Sequence, residues 1–206
     1  MKKNNMYQYE NKYWFQKEKY ILGLDEAGRG CWAGPLVIAG CILPVGYKNN
    51  KINDSKKLTA SKREKLFNEI IKVAVAYDIE FISASDVDKF NPKQASINGM
   101  YSIYQNIKPS PNVVLVDAEK LPNIKVKTES IIKGDAKSIT IAAASILAKV
   151  ARDRYMINIA FKYPEYGFEI NKGYGTIKHL KALKKYGPIK KFHRFSYKTI
   201  KEIIKK

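Results

Sequence analysis

Residues 25–30 read Asp-Glu-Ala-Gly-Arg-Gly and follow the apolar run Tyr20-Ile21-Leu22-Gly23-Leu24. Two adjacent carboxylates at the end of an expected strand repel each other. One of them would keep its proton unless a positive charge sat between them. A divalent cation is the usual remedy. Gly28 and Gly30, on either side of Arg29, let backbone approach a phosphate closely. The stretch therefore points to metal-assisted chemistry on a phosphodiester. A tight turn into the next strand is the competing explanation of the two glycines.

Two more acids fall near expected strand ends: Asp117, after Asn112-Val113-Val114-Leu115-Val116, and Asp135, after Lys133-Gly134. A lone aspartate after a strand is commonly a turn residue. Acids ending two apolar strands carry more weight, because neighbouring strands lie about 4.8 Å apart and their ends can converge on one metal. An oxygen-only cluster suits Mg²⁺ or Mn²⁺. No cysteine and histidine set with zinc spacing competes for that role. The sequence alone does not bring Asp135 beside the others, and Asp153 is a rival fourth acid. Its setting, Arg152-Asp153-Arg154 on an expected helix, fits an ion pair with a flanking arginine. His179 and His193 are expected to be structural, and Cys31 and Cys41 to be buried free thiols.

The 38 lysines and arginines stand against 19 acids, a net charge of +19. That excess favours a polyanionic partner, most simply nucleic acid. Only five of the basic residues are arginines, so a lysine-rich genome composition is the competing explanation of the excess. The longest apolar stretch, about Cys31 to Val45, contains Gly34, Pro35 and Pro44, and is too short and too broken to span a bilayer. No apolar segment follows the first lysines, so no signal peptide is expected. A cytoplasmic monomer without membrane contact is the expectation.

The elements that must position these residues follow from periodicity. Residues 1–19 are polar and aromatic without clear period. They are expected to be a loosely packed extension, anchored by Tyr13, Trp14 and Phe15. Tyr20–Asp25, Gly34–Leu43, Tyr77–Ser83, Asn112–Asp117 and Lys125–Lys133 read as strands. Ser61 followed by Glu64 is a capping-box signal for a helix carrying Leu66, Ile70 and Val73. Ala95–Ile107 and Ser138–Phe161 read as helices, the second the longest. A basic helix is expected at Ile177–Tyr186 and a lysine-rich one near the end. This alternation implies an α/β layer fold.

Taken in order, these motifs resemble the bacterial ribonuclease HII family, the type 2 ribonucleases H. The resemblance starts with Asp25-Glu26-Ala27-Gly28-Arg29-Gly30 and Gly34-Pro35-Leu36. It continues through Asn53-Asp54-Ser55-Lys56-Lys57-Leu58, Leu115-Val116-Asp117 and Lys133-Gly134-Asp135-Ala136-Lys137-Ser138. It closes with the run from Ala143 to Arg154, then Gly173-Tyr174-Gly175-Thr176 and His193-Arg194.

The resemblance implies a ribonuclease H-like mixed central sheet flanked by helices, over residues 20–165. A small helical C-terminal part that contacts substrate would cover residues 166–206. It implies hydrolysis of the RNA strand of RNA–DNA hybrids and incision at single ribonucleotides in duplex DNA. By motif position Asp25, Glu26, Asp117 and Asp135 are the acidic quartet, Gly28, Arg29 and Gly30 hold the backbone around the ribose, and Tyr174 stacks at the RNA-to-DNA junction. A packing role for Tyr174 on the C-terminal helix is the alternative. Lys57 and Lys172 are candidates for phosphate contact, or for plain solvated surface. The chain departs from the family pattern at Asp88–Ala95, where a helix start would touch the DNA strand. It also departs at Ala118, where glycine is common, and at Tyr197, in place of phenylalanine. A non-catalytic nucleic-acid-binding module and a junction resolvase of the same broad fold are the rival classes.

Overall fold

A computed structural model of the chain describes residues 5–205. Strands β1 (Ile21–Ala27), β2 (Leu36–Ile42), β3 (Ala76–Ile82), β4 (Val113–Asp117) and β5 (Lys127–Ile131) form one sheet in the order β3-β2-β1-β4-β5. β2 is antiparallel to both β1 and β3, whereas β4 is parallel to both β1 and β5. The sheet is therefore mixed, as expected. Helices cover both faces of its central strands, which is why β1 and β4 read as nearly unbroken apolar runs.

Successive side chains on a strand point to opposite faces, so each strand feeds two cores. Leu22, Leu24, Val114 and Val116 pack with Met100 and Ile103 of helix α4 (Pro92–Asn106). On the other face Ile21, Val113 and Leu115 meet Ile141 of helix α5 (Ile139–Lys162). Leu66, Phe67 and Ile70 of helix α2 (Ala60–Val73) join the packing around α5. Gly23 makes this layering possible. A Cβ there would lie 2.4 Å from the Thr140 backbone, so only glycine lets the first turn of α5 rest on β1.

Two sequence expectations are corrected. The N-terminal extension does not pack loosely: it contains helix α1 (Gln8–Phe15), in which Glu10 and Tyr13 are fully buried. Tyr13 donates its hydroxyl hydrogen to the Glu129 carboxylate, and Lys12 pairs with the same carboxylate at 2.6 Å. Glu10 accepts from the Ser138 hydroxyl at 2.5 Å and the Thr140 N–H at 3.0 Å. A carboxylate from α1 thus caps the positive N-terminus of α5. Of the three expected anchors, Tyr13 is buried and Trp14 partly so, while Phe15 is 95% exposed. Residues 1–4 of that expected extension lie outside the described residues.

The second correction is the start of α2. Thr59, not Ser61, is its cap: Thr59 is extended, and its hydroxyl accepts the Lys62 N–H at 3.3 Å. Ser61 already lies inside the helix, where its backbone cannot turn the hydroxyl onto a free N–H.

Helices α3 (Ala84–Phe90) and α6 (Phe168–Asn171) were not expected from periodicity, being too short to show one. Helices α7 (Ile177–Tyr186) and α8 (Lys198–Ile204) match the two basic helices read from sequence. Their Leu183 and Ile200 share a cluster with Met156 of α5 and Phe168 of α6, so the long helix ties the C-terminal helices to the sheet. Both cysteines are free and buried, as expected. Among the described residues no helix is long and apolar enough to cross a membrane.

Candidate active site

Strand register brings the first two acids together. Leu24 of β1 lies opposite Val116 of β4 in a parallel pairing, so Asp25 and Asp117 follow side by side at adjacent strand ends. Alternation sends Glu26 to the α4 face, where the buried Ser96 hydroxyl donates to its Oε2 at 3.2 Å. Asp117 Oδ1 accepts the Gly134 N–H at 2.7 Å, which pins the turn Gly134–Ala136 carrying Asp135.

Burial and neighbouring charges act on three of the four acids. Asp25 is pushed well above the usual carboxylate range by burial, then by the charges of Glu26 and Asp117; a hydrogen bond from Ser145 only partly offsets this. Asp135 is raised by burial and by the charges of Asp54 and Asp117. Burial raises Glu26 too, against the opposing pull of Arg29 and Ser96. Glu26 has Arg29 at 3.4 Å and Asp135 has Lys56 at 3.9 Å. Among the described residues neither Asp25 nor Asp117 has an ion-pair partner. No three of the described histidines, cysteines and acids form a ready-made metal cage. The donor set nonetheless fits a hard divalent cation: oxygen only, largely buried, and short of positive charge.

Asp153, the rival fourth acid, is occupied elsewhere. It pairs with Lys149 at 2.7 Å and Arg63 at 3.8 Å, so the ion pair is formed but not with its flanking arginines. Arg154 pairs with Glu64, and Arg152 turns into the core.

Arg152 and Arg194 are both fully buried, and they shape the loops around the acids. Arg152 donates to the carbonyls of Pro35 at 2.9 Å, Ala33 at 3.1 Å and Lys172 at 2.8 Å. Arg194 donates to the Gly34 carbonyl at 3.1 Å and the Arg29 carbonyl at 2.8 Å, and the Tyr197 hydroxyl donates to the latter as well. The Gly28–Gly30 loop crosses this scaffold. Gly28 has φ +90°, and a Cβ there would sit 2.0 Å from Arg152 Nε. Gly30 is exposed, with nothing near the position of a Cβ.

Tyr174 is 40% exposed, its ring centroid 5.6 Å from the Arg152 guanidinium. Burial of its hydroxyl end pushes the phenol up to about 12. Its carbonyl is held by a two-histidine chain. The Ile189 N–H donates to His193 Nδ1 at 2.8 Å, and the two Nε2 atoms of His193 and His179 lie 3.0 Å apart. His179 Nδ1 completes the chain to the Tyr174 carbonyl at 3.0 Å. Because Nδ1 of neutral His193 accepts, its Nε2 carries the proton, and His179 donates from Nδ1. Both histidines are structural, as expected. Burial and its neighbour lower His193 to about 3.

The two candidate lysines differ. Lys57 is exposed, though its neighbour Lys56 is the one beside Asp135. Lys172 turns its ammonium back onto the Glu169 carbonyl. The atypical Asp88–Ala95 segment serves the fold: Asp88 accepts from the N–H groups of Phe195 at 2.6 Å and Ser196 at 2.9 Å. Asn91 caps α4 by accepting from the Lys93 and Gln94 N–H groups.

Sequence reasoning missed Glu119. It is 7% exposed and lies 2.7 Å from Arg29 Nη1. Glu119-Lys120 reads as a polar surface pair, and its only signal is its place two residues after Asp117. Ser96 and Ser145 were missed for a similar reason: each sits inside a helical segment with nothing local to mark it.

Ribonuclease H2 of Pyrococcus horikoshii shares this architecture with a TM-score of 0.78 and 26% identity, over 90% of this chain and 97% of that one. The likeness sets the class, a ribonuclease H. Sequence comparison narrows it. The ribonuclease HII family model matches residues 22–200. A ribonuclease HII of Caldicellulosiruptor bescii is 46% identical over 94% of this chain and 93% of its own length. One from Mycoplasma capricolum is 50% identical over 90% of each. The chain belongs to the ribonuclease HII family, enzymes that hydrolyse the RNA strand of RNA–DNA hybrids.

Proposed function

We propose that the protein also incises duplex DNA on the 5′ side of a single embedded ribonucleotide, leaving 3′-hydroxyl and 5′-phosphate ends. In this reading Asp25, Glu26, Asp117 and Asp135 hold two Mg²⁺ or Mn²⁺ ions. The observation that carries it is the pair Asp25 and Asp117: side by side at adjacent strand ends, with no ion-pair partner on either among the described residues.

Asp25 and Asp117 would serve as the shared ligands of that pair, and Glu26 and Asp135 as the outer ones. When bound, such a metal pair supplies an activated water and stabilisation of the leaving oxygen. The chain's own contribution is orientation. Ser145 and Ser96 hold Asp25 and Glu26 by hydrogen bonds, and Gly134 holds Asp117. Arg194 and Tyr197 fix the Arg29 carbonyl, so the peptide groups of the Gly28–Gly30 loop keep one direction. A 2′-hydroxyl both donates and accepts, and this loop's backbone can read it without side-chain bulk. The exposed face of Tyr174 stacks on the adjoining deoxyribose. Lys57 meets a phosphate directly, whereas Lys172 must first leave the Glu169 carbonyl.

A labelled duplex with one ribonucleotide tests this. Incision 5′ of the ribose is expected with Mg²⁺ or Mn²⁺, and none with EDTA or in Asp25→Asn. Full activity of folded Asp25→Asn overturns the assignment. Tyr174→Ala should weaken cleavage at the single ribonucleotide. Unchanged cleavage there removes the stacking role.

A further inference from the structure

We propose that Glu119 is a positioning residue that holds the Arg29 guanidinium off Glu26 and so leaves Glu26 free for a divalent cation. The inference rests on the reading of the four acids as metal ligands. Arg29 Nη1 lies 2.7 Å from Glu119 Oε1 and 3.4 Å from Glu26 Oε1, so one nitrogen is contested by two carboxylates and Glu119 has the shorter contact. A guanidinium with no second acid beside it forks onto a carboxylate through two parallel hydrogen bonds. On Glu26 that fork would cover the oxygens a cation needs.

The backbone aims Glu119 at this task. Ala118 has φ +54°, and the Glu119 N–H donates to the Asp117 carbonyl at 2.7 Å, closing a three-residue turn. The Ala118 N–H is fixed in turn by the Ile131 carbonyl at 3.1 Å. A turn of this kind with a non-glycine centre is rare and strained. Its result is that Glu119 folds back onto Arg29 and is only 7% exposed. Lys93, 3.9 Å from Oε2, balances the second carboxylate oxygen.

Calorimetric titration of Mn²⁺ into the full-length protein without substrate tests this, using Glu119→Gln, Arg29→Ala and the double variant. Glu119→Gln should weaken Mn²⁺ binding about fivefold, the scale of one partly exposed ion pair. Arg29→Ala should tighten it, and the double variant should bind as Arg29→Ala does. Glu119→Asp, which keeps the charge but shortens the reach, should behave like Glu119→Gln. Wild-type affinity in either Glu119 variant overturns the inference. So does an equal loss from Glu119→Gln with and without Arg29, which would mark a bare charge effect. If the unmutated protein binds no Mn²⁺, the metal-ligand reading itself fails, and this inference with it.

Discussion

Asp25→Asn should remove activity and, without divalent cations, make the protein more stable. Adjacent strands are about 4.8 Å apart, so carboxylates leaving neighbouring ends sit roughly 5 Å apart. At an effective dielectric of about 20 their repulsion is about 3 kcal/mol. Partial protonation of Asp25 and spreading of the acids relieve some of this, leaving a net gain of about 1–3 kcal/mol for the variant. Asparagine keeps the shape, and its amide oxygen can still accept the Glu26 N–H, now 2.7 Å from Asp25 Oδ1. The pH dependence has a definite sign. Burial and the neighbouring acids raise Asp25 above the ordinary 3.8, so the folded protein binds more protons than the unfolded chain above that pH. Wild-type stability is therefore full below about pH 4 for this group and falls as pH rises through the raised value. Asparagine has no such slope. Urea unfolding in EDTA should show the variant ahead, and further ahead at pH 8 than at pH 5. Saturating Mn²⁺ should close or reverse the gap, since a ligand at about 100 times its Kd adds about 2.7 kcal/mol to the protein that binds it. A variant less stable than wild type in EDTA at pH 8, or a gap independent of pH, refutes the reasoning.

Arg152→Met should cost about 3–5 kcal/mol by urea unfolding, because the carbonyls of Pro35, Ala33 and Lys172 lose their donor together; a loss under about 1 kcal/mol would mean they find others. Ala118→Gly should stabilise by about 0.5–1 kcal/mol in the same assay, the left-handed strain outweighing the entropy of the added glycine. Thr59→Ala should cost about 1 kcal/mol and Ser61→Ala less than about 0.5, a contrast that places the cap of α2.

The sheet and its main helices were legible because their periods are strong. β1 and β4 are apolar runs ended by acids, and α5 holds an apolar pattern over 24 residues. α1 was not legible, because what it buries is polar. Glu10, through one carboxylate oxygen, and Tyr13 find their partners in Ser138, Thr140 and Glu129, all more than 100 residues away. The same limit applies around the acids. The strand-end pattern pointed to Asp25 and Asp117 from local sequence, whereas Asp135 depended on family resemblance until the Gly134–Asp117 hydrogen bond tied it in. Arg152 beside Asp153 read as an ion pair, but its partners are carbonyls from two distant loops. Glu119 depended on a left-handed alanine that no local propensity favours.

The separation of charge around the site has a physical logic. A chain with a net charge of +19 had ample cations to neutralise Asp25 and Asp117, yet among the described residues neither has an ion-pair partner. The two arginines buried nearby are satisfied by carbonyl oxygens, with a tyrosine hydroxyl beside Arg194. A carboxylate partner would have cancelled their charge. Carbonyls cancel none of it, so the positive charge stays beneath the loops that would face a phosphodiester. The acids are left without that positive charge, and in the proposed reading divalent cations take its place. Fixed peptide dipoles can hold both signs close together because they satisfy hydrogen bonds without consuming charge. Among the described residues Arg29 is the guanidinium that reaches across this division, 3.4 Å from Glu26. Glu119, on the far side of it, draws that guanidinium back.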